Sequence, residues 1–250
     1  MVAVLIVASC LLIAFVGCVT RGPIWTFCFM YPPAFALIPL GVQWNIPGLP
    51  DLNARRAVEV GIILGCVVGA RGTELRLRWR PIDFFALLPV LTFSVSYGLT
   101  TDFKGFYHRL GVLCLDWAAP YMFARSVLRT PAALTRLLRS IAFSATLLAF
   151  FAVYECRMAT RILALLWHQL VPTLDVLPHL GYWRWGFMRA VATFGEPIAL
   201  GVFFATATLL ACAWASIEPR RARAALFACT ACLAGCIATL SRGPIASVVA

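Results

Sequence analysis

The chain has 250 residues, 62% of them hydrophobic and 12% charged, with a mean hydropathy of +0.89. A soluble domain carries about twice that share of charge, so the composition excludes an ordinary soluble globular class. The formal charge of +11 comes from short basic clusters between apolar runs. Such clusters orient a membrane protein and do not indicate a nucleic-acid partner.

Uncharged runs of roughly 18 or more residues read as spanning helices. The pattern predicts an all-α, polytopic transmembrane helix bundle of about eight complete spans plus the start of a ninth. The first is Val2–Val19, followed by roughly Ile24–Val42, broken at Pro32-Pro33, and a short Ala57–Ala70 bounded by Arg56 and Arg71. Next come Ile82–Leu99, carrying Asp83 and Pro89, and about Leu110–Ala124, carrying Asp116. The last three are about Ala133–Tyr154, Pro197–Ile217 and Ala224–Leu240. Val2–Val19 lacks a basic leader, and Cys18-Val19-Thr20-Arg21 is a poor cleavage site, so it reads as a span and not a signal peptide. Short spans are met by snorkelling arginines or local thinning of the bilayer.

Lys and Arg in short loops set the orientation. Twelve of the 21 basic residues, namely Arg21, Arg71, Arg76, Arg78, Arg80, Arg125, Arg129, Arg136, Arg139, Arg220, Arg221 and Arg223, fall in one set of loops. That set is expected to be cytoplasmic, in a bacterial inner membrane, with the N-terminus outward. The opposite loops hold Arg55, Arg56, Lys104, Arg109, Arg157, Arg161, Arg184, Arg189 and Arg242, mixed with acids.

The outward loop from Glu155 to Glu196 is much longer than the others. Its apolar stretch Ile162–Leu177, interrupted by His168, Gln169, Pro172 and Asp175, suits an interfacial or re-entrant helix. Tyr182-Trp183-Arg184-Trp185 has the composition of the membrane–water boundary. The chain therefore divides into residues 1–156, an extracytoplasmic loop 157–196, and 197–250. Pro244–Ala250 starts another apolar run that crosses about a third of a bilayer, so the sequence is expected to be a fragment.

The ten cysteines lie mostly inside apolar runs, where they act as small hydrophobes. Cys229, Cys232 and Cys236 share one helix face without a flanking His, and His108, His168 and His179 show no ligand spacing. No metal and no cofactor is expected.

Chemistry concentrates near the end of the chain. Arg189 precedes a turn at Gly195, and Pro197 then opens a helix, where its missing N–H costs nothing. Glu196 suits the positive end of that helix dipole. Ser241-Arg242-Gly243-Pro244 turns the chain back sharply, which puts Arg242 on the same side as Arg189. Two guanidiniums there would form an anion site for phosphate or diphosphate; the plainer alternative is two snorkelling anchors. Within spans, Asp83 is explained by pairing with Arg80, and Asp116 by pairing with Arg109 or an Arg on another helix, ahead of any proton relay. Glu155 is expected to partner Arg157 or an Arg across the outer face.

Arg189…Phe194-Gly195-Glu196-Pro197-Ile198-Ala199-Leu200-Gly201, then a span, a basic turn, a second span and Ser241-Arg242-Gly243-Pro244, resembles the O-antigen ligase and Wzy-type polymerase superfamily. Glu155 resembles the acidic residue that ends the preceding span in that family. The resemblance covers roughly residues 154–250. Glu196 stands where many members have His, and Ile198 where many have Asn. The resemblance implies metal-independent glycosyl transfer at the periplasmic face from an undecaprenyl-diphosphate-linked glycan. It assigns Arg189, Arg242 and, more weakly, Arg184 to the diphosphate, with Glu155 and Glu196 as structural or electrostatic residues and no catalytic base identified. The alternatives are a transporter or flippase for lipid-linked cargo, which should show repeated halves with broken helices, and an inactive fragment.

Overall fold

A computed structural model describes residues 1–46, 50–69, 80–100, 103–127, 129–172, 174 and 183–249. The basic cluster Arg71, Arg76 and Arg78, and also Asp102, Asp175, His179 and Tyr182, lie outside the described residues.

The described elements are almost all helical: α1 (Val2–Arg21), α2 (Pro23–Leu37), α3 (Ala54–Val68), α4 (Pro81–Thr100), α5 (Phe103–Leu113), a π-turn (Cys114–Ala118), α6 (Ala119–Val127), α7 (Pro131–Met158), α8 (Ile162–Leu170), α9 (Pro197–Ile217), a 3-10 turn (Pro219–Arg221), α10 (Ala222–Ala238) and α11 (Arg242–Val249). Each of the eight expected spans contains a helix, but α2 stops at Leu37, short of Val42, and runs through Pro32-Pro33 without the expected break. Among the described residues, five helices are long and apolar enough to cross a membrane: α1, α4, α7, α9 and the continuous Pro219–Ala238. The count of eight is not reached. α2 and α3 have 15 residues each, about 22 Å against a hydrocarbon core of about 30 Å. The expected fifth span is divided by the π-turn at Asp116.

The chain forms two compact units, residues 3–31 with 42–134 and residues 32–41 with 135–250. In the first, α1 packs on α3 through glycines spaced four apart. A Cβ on Gly61 would lie 2.5 Å from the Leu11 carbonyl oxygen, and one on Gly65 would lie 2.6 Å from the Cys18 Cβ. Small residues at this spacing let two backbones approach where no hydrophobic effect drives helices together. A two-stranded hairpin, β1 (Gln43–Trp44) with β2 (Leu52–Asn53), leads into α3. Asn53 then caps α3 by accepting the Arg56 N–H at 3.1 Å, satisfying one of the orphan donors of the first turn.

The second unit is built on α7, α9 and α10. Leu148, Leu200, Phe204, Cys232 and Cys236 are fully buried in its core with Ala145 and Ala152. Gly235 leaves room for the Phe204 ring, which a Cβ would approach to 2.8 Å. Gly201 likewise admits Pro244 and Thr239, each 2.9 Å from where its Cβ would be. At one end of these helices the Arg139 guanidinium grips the Glu218 carboxylate, which also accepts the Trp214 indole N–H at 2.8 Å.

Candidate functional site

The segment 189–193 ties off the ends of two helices, α10 and α2. A helix leaves its last carbonyls without intrahelical donors, and α10 ends at Ala238. The Ala190 N–H donates to the Ala238 carbonyl at 3.0 Å, and Arg189 Nε donates to the Thr239 carbonyl at 3.1 Å. Arg184 Nη1 reaches the Leu240 carbonyl at 2.7 Å. Cationic side chains at a helix C-terminus also complement its dipole. Thr193 donates to the Ala36 carbonyl at the end of α2 at 2.6 Å, and the Trp167 indole N–H donates to that of Leu37 at 3.1 Å.

Glu155, 2% exposed, anchors the same loop from α7. Its carboxylate accepts the Ala192 N–H at 2.9 Å and stands 3.3 Å from Arg161 Nε. The expected partner Arg157 is not the one used. The i,i+2 spacing puts Arg157 on a different face of α7, whereas Arg161 lies beyond the helix and folds back.

The loop reaches this geometry through backbone strain. Ala192 and Leu240 adopt φ of 49° each, a left-handed conformation that costs a non-glycine residue roughly 1 kcal/mol or more. Ahead of it, β3 (Trp183–Arg184) and β4 (Phe187–Met188) form a hairpin around Trp185-Gly186, both with positive φ. The two-residue turn aims Arg184 at Leu240. The expected interfacial helix is seen over Ile162–Leu170 and ends at Val171; the stretch 175–177 lies outside the described residues.

Arg189 Nη2 also donates to Ser241 Oγ at 2.8 Å, one residue before Arg242. The turn 239–242 therefore gathers Arg184, Arg189 and Arg242 at one end of the second unit. The three differ in state. Arg184 and Arg189 are part-buried and engaged with carbonyls, while Arg242 is exposed at the start of α11. Glu196 is the exposed N-cap residue of α9, its side chain making no cap bond; only its carbonyl is used, by the Leu200 N–H. No protein-family model matches the sequence, and neither the curated proteins nor the solved structures give a match.

The first unit holds a separate polar cluster. Asp116, on the π-turn, accepts from Arg56 Nε at 2.8 Å and Nη2 at 2.6 Å, and lies 3.2 Å from Arg55. The expected Arg109 is not the partner, since it lies over the Tyr97 ring; the partners are arginines on another helix, α3, the second expected alternative. Glu59, one turn further along α3 and fully buried, lies close to Tyr31. Sequence reasoning passed over Glu59, although an acid inside the expected span 57–70 was a readable signal. Asp83 likewise pairs with Arg125 (2.8 and 3.1 Å) and Tyr121, and not with the Arg80 side chain. Arg80 contributes its backbone N–H at 2.8 Å, so Asp83 acts as the return half of a capping box at the start of α4.

Proposed function

We propose that this membrane protein is a glycosyltransferase of the O-antigen ligase and Wzy-type polymerase kind, acting at the outer face of a bacterial inner membrane on a glycan carried by undecaprenyl diphosphate. The observation that supports the reading is the turn 239–242, which the Arg184 and Arg189 guanidiniums hold and which itself carries the exposed Arg242. In such a transfer an acceptor hydroxyl attacks the sugar carbon and the bond to the diphosphate oxygen breaks. Negative charge then grows on the leaving diphosphate. Fixed cations aimed at that charge lower the barrier, and the planar fork of Arg matches phosphate oxygens two at a time.

On this reading the labour divides among the three. Arg184 and Arg189 hold the turn by its carbonyls and add positive potential, while Arg242 meets the diphosphate. In cells whose glycan joining depends on this gene, Arg242→Ala is expected to reduce joined glycan about a hundredfold, with Arg242→Lys retaining part of it. Because Arg242 is exposed and holds no helix end, its loss should leave membrane insertion intact. A normal glycan profile in Arg242→Ala, at normal protein levels, would overturn the reading.

A further inference from the structure

A groove of about 420 Å³ runs between α7 and α10 in the second unit. Ala149, Phe150 and Val153 of α7 and Ala234 of α10 form its apolar wall, and Tyr154 and Arg157 stand at its upper end. Both helices belong to segments able to cross a membrane, so the groove opens onto lipid hydrocarbon. An unfilled slot there would forfeit dispersion contacts along its whole lining. From Ala149 to Arg157 it follows α7 for roughly 12 Å, close to the ~15 Å depth of one leaflet. Its upper end therefore coincides with headgroup level, where Tyr is favoured. Arg157 is exposed there, and among the described residues it has no ion-pair partner, since nearby Glu155 is taken by Arg161.

We propose that this groove holds one acyl chain of an anionic phospholipid of the surrounding bilayer, with the lipid phosphate on Arg157. The chain fills the slot between Phe150 and Ala234, and the guanidinium selects an anionic headgroup over a zwitterionic one. This site is independent of the glycan reading, which rests on Arg242.

The test places the protein in nanodiscs of equal parts phosphatidylcholine and phosphatidylglycerol and counts retained lipid by native mass spectrometry. Wild type should retain phosphatidylglycerol preferentially. Arg157→Gln should lower that retention about fivefold. Ala234→Phe, at an exposed position, fills the groove and should abolish it, whereas Ala213→Phe on the exposed side of α9 should leave it unchanged. Thermal melting of each variant checks its fold. Equal retention of the two lipids by wild type overturns the proposal, as does a loss seen in Arg157→Gln but not in Ala234→Phe. Groove-dependent retention of added polyprenyl diphosphate in place of phosphatidylglycerol overturns the assigned occupant.

Discussion

Arg189 shows how one side chain can be read two ways from sequence and have both readings meet in the structure. Its guanidinium is held by the Thr239 carbonyl and Ser241 Oγ, so it is first a cap for the end of α10. Removing it takes away the charged donor to the buried Thr239 carbonyl and leaves only the longer bond from the Ser241 hydroxyl at 3.3 Å. Arg189→Ala is therefore expected to lower stability by about 1–3 kcal/mol, read as a lower melting temperature in detergent, while Arg242→Ala should melt like wild type. Loss of glycan joining in Arg189→Ala alone would thus say little about diphosphate contact. Glu218 offers a pH handle at the other end of the unit. The Arg139 guanidinium, with help from the Trp214 N–H, holds its carboxyl below the ordinary value near 4.5. A depressed carboxylate stabilises the fold above its unfolded-state pKa, and that contribution is lost as pH falls through the folded-state value. Wild type should lose melting temperature on acidification below about pH 4.5 more steeply than Glu218→Gln. Parallel curves would show that the pair contributes nothing.

At the scale of elements, what could be read in advance follows from the range of the forces involved. The cores of α1, α7, α9 and α10 are bilayer-length apolar runs, and their helices were predictable because in lipid the backbone must satisfy itself. The short helices α2 and α3 looked like spans for the same reason, since apolarity alone does not report where a helix ends: α2 runs through Pro32-Pro33 and stops at Leu37. The β3–β4 hairpin was hidden because Trp185 occupies a turn position usually filled by Asn, Asp or Gly. The pairing of Asp116 with Arg56, and of Arg184 with the Leu240 carbonyl, joins residues 60 and 56 apart in sequence, beyond any local pattern. Gly61, Gly65 and Gly69 were legible as a small-residue stripe, but only the fold shows that α1 is its partner. Gly65→Leu must push α1 from α3, because even a Cβ meets Cys18 at 2.6 Å. Overpacking of this kind costs about 1–3 kcal/mol. A cysteine cross-linking yield between Cys18 and Cys66, whose sulfurs lie 3.7 Å apart, should fall sharply in that variant. An unchanged yield would contradict the close packing.

Taken whole, the second unit is a helix bundle pinned at one end by Arg139 and Glu218 and at the other by a loop that caps α2 and α10 and hangs from Glu155. The strained residues Ala192 and Leu240 sit at that second end, where the turn exposing Arg242 is held rigid by two other arginines. A held turn limits the backbone freedom that Arg242 would lose on binding an anion. The most direct test is the affinity of a polyprenyl diphosphate for the purified protein in nanodiscs, wild type against Arg242→Ala. Loss of one charge-assisted contact should weaken binding about tenfold or more, with melting unchanged. Equal dissociation constants for the two proteins would contradict the account.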